Sequence, residues 1–421
     1  MKDKKDIVQE YTRVWAEEAH RCSKCGKCRS FCPVFLETGD EKMGTRGRLS
    51  LAAALAANQV APTKEFLRSI STCMRCLRCT RECPSQVNFD RLIRAVRGAL
   101  GRRVWRYQAA NLLVGALLEN RWMMDAAVRC GAIAQRFLPK GSARWVRELP
   151  FFYRGSAVTP RFASQPALRT HGGYHRTQKS RMTVMLYTGC VINYLYPDIA
   201  QSVIDVLNRG GVDVIVSPRE LCCGIPAISA GDHATAKRLA RHNVHLVRKF
   251  NVDYVVCACS TCTHTFMKDY PELIGEDAAA FAKKAMDVSC FIRNVLGLTA
   301  ARTDVTATYH DPCHMRFGMN VTKEPRELIA QASRFVEMPC ADKCCGMAGA
   351  FGIINHAISK KIFERKAAAV RSSGAQVVAT SCPSCMMQLR GQLHDRGIAV
   401  DVVHTVELFR RGMIEKQKRE K

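Results

Sequence analysis

The spacing of apolar residues changes character along this chain. Within residues 1–100 they recur at helical spacing in three stretches, DIVQEYTRVWAEEAH, RGRLSLAAALAANQ and FDRLIRAVRGALGRR, which predicts helices. From Thr183 onward, short β-branched runs alternate with amphipathic helical stretches. The predicted strands are TVMLYTG, VDVIVSP, VDYVVCA, VTATYHD, AQVVATS and AVDVVHT. Such alternation is typical of an α/β architecture with a largely parallel sheet.

The α/β part also repeats itself. MLYTGC ends at Cys190 and is followed by LCCG and CSTC, whereas TYHDPC ends at Cys313 and is followed by KCCG and CPSC. The gaps between these motifs are 31 and 35 residues in the first copy and 30 and 36 in the second. Agreement in both gaps predicts a duplicated unit. The predicted domains are a helical domain, a connector and two related units, at residues 1–100, 101–182, 183–298 and 299–421.

The cysteine content narrows the chemistry. The chain has 421 residues with 22 cysteines, and its 47% hydrophobic and 24% charged residues are typical of a globular protein. Its first residues, MKDKKDIVQEYTRVW, contain no apolar segment of the kind that directs secretion. We therefore expect a cytoplasmic protein with reduced thiols, in which clustered cysteines bind metal rather than form disulfides.

The net charge of +27 is concentrated in the connector, where residues 101–181 hold 15 Lys and Arg against three Asp and Glu. A basic surface favours an anionic membrane face or an acidic protein as partner. Nucleic acid is not expected, because no recognition module is visible. Residues 102–130 combine basic residues, tryptophans and an apolar stripe. They are consistent with either a helix lying on anionic lipid or a helix that packs one domain onto another.

Two cysteine runs in the helical part predict a pair of iron–sulfur clusters. CSKCGKCRSFCP and CMRCLRCTRECP both fit C-x2-C-x2-C-x3-C-P, a pattern in which the fourth cysteine ligates the other cluster. Paired zinc sites are the alternative. Two complete four-cysteine runs favour iron–sulfur clusters over zinc. On this rule the predicted [4Fe–4S] ligands are Cys22, Cys25, Cys28 and Cys83 for one cluster and Cys73, Cys76, Cys79 and Cys32 for the other.

Each α/β unit supplies five further cysteines. The sets are Cys190, Cys222, Cys223, Cys259 and Cys262 in the first unit and Cys313, Cys344, Cys345, Cys382 and Cys385 in the second. Five thiolates exceed the four that an ordinary cubane takes, so adjacent thiolates point to an expanded cluster. Gly224 and Gly346 follow the paired cysteines and permit a close backbone approach.

This pattern resembles the CCG domain of heterodisulfide reductase catalytic subunits, in which each complete motif can hold a noncubane [4Fe–4S] cluster. A ferredoxin domain before two CCG units is similar to the iron–sulfur subunits of glycolate oxidase and of lactate and anaerobic glycerol-3-phosphate dehydrogenases. The stretch GDEKMGTRGRL at 39–49 is most similar to the glycolate and lactate members. The resemblance implies an all-α two-cluster ferredoxin domain followed by duplicated α/β units.

The cofactors implied are two cubane clusters in the ferredoxin domain and one or two further [4Fe–4S] clusters, noncubane in type, in the CCG units. The alternative for either unit is a set of buried thiols or a smaller cluster. No G-x-G-x-x-G after a strand and no P-loop occur in the sequence, so we expect no flavin on this chain.

The resemblance implies an electron-transfer subunit. A separate flavin-containing dehydrogenase subunit would oxidise glycolate or lactate, and this chain would pass electrons toward quinone or a membrane carrier at the cytoplasmic face of the inner membrane. One alternative is a catalytic subunit of heterodisulfide reductase type acting on a disulfide. Another is a cluster-bearing subunit beside a cytochrome b. No catalytic residue is assigned.

Other residues near the predicted ligands have less specific signals. His264, His310 and His314 could carry protons or tune potentials, or could be hydrogen-bonded structural groups. Cys257 is expected on the opposite face of its strand from Cys259. The three cysteines without a partner pattern are expected to be ordinary buried thiols; these are Cys130, Cys290 and Cys340.

Overall fold

The computed structural model describes residues 4–103, 105–137, 146–148 and 158–420, so parts of the predicted connector lie outside the described residues. The chain divides into two compact units. Unit 1 contains Met1–Ala116, Gly224–Ala236 and Gly346–Glu364, and unit 2 contains Leu117–Cys223, Lys237–Cys345 and Arg365–Lys421. Both segments that join unit 1 from the α/β half begin at the glycine of a CCG motif. The sequence-predicted domain limits stay predictions.

Helices dominate the first part of the chain, as the apolar periodicity predicts. They are α1 Lys4–Arg21, α2 Pro33–Thr38, α3 Thr45–Ala56, α4 Lys64–Ser71, α5 Arg78–Arg81, α6 Phe89–Arg103, α7 Trp105–Glu119 and α8 Arg121–Ala134. Trp15, Leu49, Phe66 and Ile93 belong to one buried core formed by α1, α3, α4 and α6. Four of the predicted ligands pack against this core, namely Cys22, Cys73, Cys79 and Cys83. Burial of this apolar surface is the main stabilising contribution here.

The second part of the chain alternates strands and helices. The strands are β1 Val146–Glu148, β2 Val158–Pro160, β3 Gly173–His175, β4 Met182–Tyr187, β5 Val212–Val216, β6 Tyr254–Cys257, β7 Ala285–Asp287, β8 Thr306–Tyr309, β9 Arg334–Phe335, β10 Val377–Thr380 and β11 Asp401–His404. All six predicted strands are confirmed, as β4, β5, β6, β8, β10 and β11.

The helices of this part are α9 Ala167–Thr170, α10 Gly189–Leu195, α11 Pro197–Arg209, α12 Ile225–Ala230, α13 His233–Arg248, α14 Ser260–His264, α15 Tyr270–Ile274, α16 Glu276–Lys284, α17 Val288–Cys290, α18 Lys323–Ala332, α19 Ala350–Ile354, α20 His356–Ser372, α21 Pro383–His394 and α22 Thr405–Arg419. In the described residues, no helix combines the length and apolar character needed to cross a membrane.

The sheets of unit 2 are largely parallel, which confirms the predicted α/β class. In the described part of the chain, one sheet has the order β3-β5-β4-β6-β7 and the other has the order β11-β10-β8-β9. Only β3 pairs antiparallel within them. Carboxyl ends of parallel strands meet at one edge of a sheet. The residues just after β4, β6, β8 and β10 therefore gather at these edges, and they include Cys190, Cys259, Cys313 and Cys382.

Asp287, at the end of β7, is a buried carboxylate. Its Oδ1 accepts from the Ser289 backbone N–H at 2.8 Å, whereas Oδ2 has no hydrogen-bond partner among the described residues. Burial raises the pKa of Asp287 to about 7. Because the folded state holds this proton more tightly than the unfolded state, stability should fall as pH rises from about 4 to about 7.

We therefore expect Asp287→Asn to raise the unfolding midpoint at pH 8 relative to wild type and to flatten its dependence on pH. The effect should amount to a few kcal/mol, since one pKa unit corresponds to about 1.4 kcal/mol. Anaerobic thermal unfolding at pH 5.5 and pH 8 measures it. The matched control is Asp277→Asn at an exposed position, which should leave the pH profile unchanged. An Asp287→Asn profile that parallels wild type would contradict this assignment.

Candidate metal centres

The second cysteine run of unit 1 surrounds one cavity together with a cysteine of the first run. The cavity is lined by Cys73, Cys76 and Cys79, and Cys32 also lines it. Sequence reasoning predicts this grouping, because the fourth cysteine of one run is expected to join the first three of the other. Phe31, Val34, Phe89 and Ile93 supply apolar lining. The cavity thus offers four thiols in a largely apolar setting.

Cys32 is buried and the other three cysteines of this cavity are half-buried, so their thiols are suited to binding metal and poorly suited to ionisation without it. Burial raises the pKa of Cys76 to about 12, and the neighbouring cysteines Cys32 and Cys73 add to the rise. Burial and adjacent cysteines likewise place the pKa of Cys79 well above its usual range. A thiolate cluster needs positive charge to be stable in such a setting, and bound iron supplies it. The donor set therefore fits an iron–sulfur cluster.

Both cysteine runs share an unusual backbone conformation. Lys24 and Gly26, which flank Cys25, have φ of 56° and 80°, and Arg75 and Leu77, which flank Cys76, have φ of 49° and 64°. Three of these four residues carry side chains, for which the left-handed region is unfavourable. Strain of this kind persists where the surrounding structure requires it. These left-handed residues bend both loops in the same way around the second cysteine of each run, Cys25 or Cys76.

Three arginines, of which Arg75 and Arg94 are buried, fix the second run. Arg75 makes a bidentate ion pair with Asp90, with N···O distances of 2.7 and 3.0 Å, and Arg94 donates to the same carboxylate at 2.9 Å. Arg97 donates to the Cys73 carbonyl at 2.6 Å. Both Arg75 and Arg97 also bond to Ser229, at 2.9 and 2.8 Å. Ser229 belongs to the segment that follows the first CCG motif, so this segment helps to position the ferredoxin loop.

In unit 2, the first paired cysteines are held by their backbone carbonyls. Asn243 Nδ2 donates to the Cys222 carbonyl at 3.0 Å. The Tyr270 hydroxyl donates to the Cys223 carbonyl at 3.1 Å and accepts from Asn243 at 3.0 Å. These bonds fix the backbone of both paired cysteines. Neither Asn243 nor Tyr270 has a sequence signal that would have identified it.

Glu220 joins the turn before Cys190 to the loop that carries the paired cysteines. Its carboxylate accepts from the Gly189 N–H at 2.9 Å, from the Thr188 N–H at 3.2 Å and from the Thr188 hydroxyl. Burial raises the pKa of Glu220 to about 7. Glu220 lies two residues before Cys222, so one side chain sets the spacing between two parts of the first ligand set.

Replacing Glu220 should loosen this first ligand set. We expect Glu220→Ala to weaken iron retention there by about 10–100-fold, the usual cost of removing a group that orients metal ligands. Iron retained during titration with a chelator measures the loss. Glu276→Ala, at an exposed position on α16, is the matched control and should behave as wild type. Equal retention in both variants would contradict the positioning role.

The second ligand set brings three donors close together. The Cys345 and Cys385 sulfur atoms are 3.6 Å apart. A ring nitrogen of His310 and these two sulfurs all lie within 4.8 Å of one another. Lys366, fully buried, donates to the backbone carbonyls of Cys340 and Ala341 at 2.8 and 3.0 Å, and burial lowers its pKa to about 8. The ammonium group thus fixes the loop ahead of the second cysteine pair.

The CxxC turns of the two repeats meet. The Ser260 N–H donates to the Ser381 carbonyl at 3.0 Å, and Thr261 Oγ1 lies 3.7 Å from Cys382 Sγ. A hydrogen bond with Cys262 lowers the pKa of Cys259, but its contact with Cys382 and its burial outweigh this effect. The result is a Cys259 pKa well above the usual range. The sequence assigns one cysteine set to each repeat, and in the structure the CxxC turns of the two sets are neighbours.

Two of the histidines noted in the sequence take part in this contact. Thr261 Oγ1 and His314 Nδ1 are 3.1 Å apart, and the His264 and His314 rings have centroids 5.1 Å apart. His264 Nδ1 lies 3.6 Å from the Asp269 carboxylate. Both rings are therefore built into the packing around the CxxC turns.

The thiols of unit 2 also fit a metal group. All 22 cysteines fall within the described residues, and none of them forms a disulfide. A hydrogen bond with Cys222 and burial raise the pKa of Cys190, while bonds with Cys344 and Cys385 lower that of Cys345. Neighbouring thiols that share protons in this way can release those protons when a metal cation binds to the sulfurs. The predicted ligand assignments themselves stay predictions.

The remaining cysteines are partly as predicted. Cys290 is buried, as expected. Cys257 is buried as well, and its expected position on the opposite face of the strand from Cys259 stays a prediction. The prediction of burial is wrong for Cys130 and Cys340, which are exposed. Cys130 lies on the open face of α8, and Cys340 occupies a turn with φ of 55°. Neither position contributes to an apolar core.

The helices of the connector expose apolar side chains. Leu112 on α7 is 76% exposed and Trp122 on α8 is 71% exposed. Phe137, just after α8, is 85% exposed. Exposed apolar groups of this size beside basic residues are characteristic of interaction surfaces.

Comparison with known proteins gives the same arrangement. The cysteine-rich domain family, CCG, matches residues 184–267 and 307–390, and the 4Fe-4S dicluster domain family matches residues 18–87. A probable glycolate oxidase iron-sulfur subunit of Bacillus subtilis is 29% identical over 97% of both chains. Lactate utilization protein A of an Exiguobacterium species is 30% identical, over 55% of this chain and 98% of that protein.

Among solved structures, a hypothetical protein from Helicobacter pylori aligns with a TM-score of 0.50. The alignment covers 100% of this chain and 78% of that chain, with 10% sequence identity. At this identity the likeness shows a shared fold and nothing of function.

Proposed function

We propose that this chain, which belongs to the family of iron–sulfur subunits with a dicluster ferredoxin domain and two CCG domains, passes single electrons from a flavin-containing dehydrogenase subunit toward quinone or another membrane carrier. The carrying observation is the placement of Cys32 with Cys73, Cys76 and Cys79 around one cavity. A fourth cysteine supplied by the other run is typical of two-cluster ferredoxins, which carry electrons.

The residues that would hold the cofactors are the four predicted sets. Cys22, Cys25, Cys28 and Cys83 would hold one cubane, and Cys73, Cys76, Cys79 and Cys32 would hold the other. The five cysteines of each CCG unit would hold one further [4Fe–4S] cluster of noncubane type. When bound, such clusters supply one-electron transfer, whereas hydride chemistry belongs to a flavin.

The chain's own residues hold the loops of these sites in place. Tyr270 and Asn243 hold the first cysteine pair by its backbone, and Lys366 holds the loop before the second pair. Arg97 does the same for the Cys73 loop. Fixed backbone and buried donors limit the rearrangement that accompanies a change of charge. This is the protein's contribution to fast electron transfer.

The relatives support a partner subunit. One is named a probable glycolate oxidase iron-sulfur subunit and another lactate utilization protein A. We propose that the partner is a flavin subunit that oxidises a 2-hydroxy acid such as glycolate or lactate. The net charge of +27 and the exposed Leu112 and Trp122 favour a place against the anionic cytoplasmic face of the inner membrane.

A second candidate function rests on the completeness of both CCG sets. All ten cysteines are present, and the CxxC turns of the two repeats are in contact. This arrangement is compatible with a catalytic subunit of heterodisulfide reductase type, in which the clusters act on a disulfide. A cytochrome b subunit would then be the membrane partner.

Anaerobic isolation of the complex from its native cells distinguishes these functions. We expect a flavin-containing partner to copurify, and we expect glycolate or lactate to bleach the visible absorption of this chain's clusters. A partner without flavin, together with a complex that ignores both acids, would contradict the first proposal. Oxidation of the reduced complex by an added heterodisulfide would favour the second.

A further inference from the structure

We propose that His310 is an iron ligand of the second CCG site, alongside its cysteines. The proposal rests on the proposed function, in that an iron–sulfur group must occupy this site. It adds a nitrogen donor to a ligand set that the sequence pattern describes by cysteines alone.

His310 is held by its backbone. It follows β8 directly, and its N–H donates to the Ala379 carbonyl at 2.9 Å. Its own carbonyl accepts from the Thr380 hydroxyl at 3.0 Å. Both partners belong to β10, so the two parallel strands fix the Cα position.

The ring is directed at the thiols. One ring nitrogen lies within 4.8 Å of the Cys345 and Cys385 sulfurs, and the residue is 1% exposed. Hydrogen bonds with Cys344, with Cys385 and with the His310 ring lower the pKa of Cys345, whereas His310 Nδ1 has no hydrogen-bond partner among the described residues. A buried polar nitrogen without a partner is rare and calls for an explanation such as an ion. Imidazole nitrogen and thiolate sulfur are both common ligands of iron.

The first repeat lacks this donor and provides an internal comparison. His310 stands three residues before Cys313, and Tyr187 stands three residues before Cys190. The Tyr187 hydroxyl donates to the Leu221 carbonyl at 2.5 Å, which gives it a structural partner. The duplicated positions therefore differ in chemistry, and only the second repeat presents an imidazole there.

The consequence is an unequal pair of CCG sites. A neutral imidazole gives the iron less negative charge than a thiolate does, and histidine ligation raises the potential of iron–sulfur centres. The second site should therefore have the higher reduction potential. Removing the imidazole should lower the potential of that site and leave the first site unchanged.

Pulsed EPR on the anaerobically purified full chain tests the inference directly. In wild type grown with ¹⁵N-histidine, we expect a strongly coupled nitrogen whose signal changes from the ¹⁴N to the ¹⁵N pattern. His310→Gln should lose this coupling. Tyr187→Phe, at the matched position, and His314→Gln, at a histidine with a different partner, should keep it.

The outcomes separate this inference from the proposed function. A wild-type protein with a full complement of iron but no strongly coupled histidine nitrogen would overturn the ligand assignment and leave the electron-transfer proposal standing. A histidine coupling that is present but weak would mean that His310 donates a hydrogen bond to a thiolate. That result would also overturn the ligand assignment. Absence of iron from the second site would overturn the ligand assignment and the proposed cluster of the second CCG unit, whereas absence of iron from the ferredoxin sites would overturn the electron-transfer proposal. The wild-type measurement needs no variant, so a folding defect in His310→Gln does not affect it.

Discussion

Replacing both Cys345 and Cys385 by serine should remove about four irons per chain, the content of one [4Fe–4S] cluster. The two sulfurs are 3.6 Å apart and buried, so the double change removes two adjacent donors from the centre of the second set. Iron and sulfide quantitation with EPR measures the loss. The signals of the two ferredoxin cubanes should remain.

The matched control for this experiment is Cys340→Ser. Cys340 lies in the same repeat but is exposed, and its substitution should leave the iron content at the wild-type value. Unchanged iron in the double variant would show that the second set holds no cluster. Loss of all iron from a folded double variant would contradict the independence of the two halves.

The second large effect concerns the exchange of the fourth cysteine. Cys32→Ser should damage the cluster held by Cys73, Cys76 and Cys79, although Cys32 belongs to the other run in sequence. The reason is the shared cavity. We expect loss of about one cluster's iron or conversion to a three-iron form, since one of four thiolates is removed.

Comparison with Cys22→Ser shows to which of the two clusters Cys32 belongs. That variant should affect the other cluster, and the two variants should give different residual EPR spectra. If Cys32→Ser and Cys22→Ser leave the same residual cluster, both cysteines serve one site and the proposed exchange is wrong.

Much of this fold follows from local pattern. The β-branched runs that form β4, β5, β6, β8, β10 and β11 are buried, parallel strands, and such strands have a composition that differs from that of helices. The cysteine spacings likewise report local loops, because three thiols within one short run can reach one cluster. Both kinds of signal act over a few residues and are visible without the fold.

What the sequence does not reveal depends on long-range packing. Ser229 bonds to Arg75 and Arg97 across more than 100 residues of chain, and no spacing rule predicts that partnership. The contact between Ser260 and Ser381 arises from the association of two repeats. No sequence pattern marks Glu220, and only the fold shows that its carboxylate accepts a hydrogen bond from Gly189. His310 differs from its counterpart Tyr187 in the sequence, but only the fold shows an imidazole nitrogen beside two sulfurs.

The proposed function requires that the thiols of both halves hold iron. The measurement that tests it most directly is the iron and sulfide content of the chain purified without air, with zinc determined on the same sample. Four [4Fe–4S] sites predict about 16 irons and 16 sulfides per chain. A value near eight would mean an empty α/β half, and a colourless or zinc-loaded protein would contradict the account as a whole.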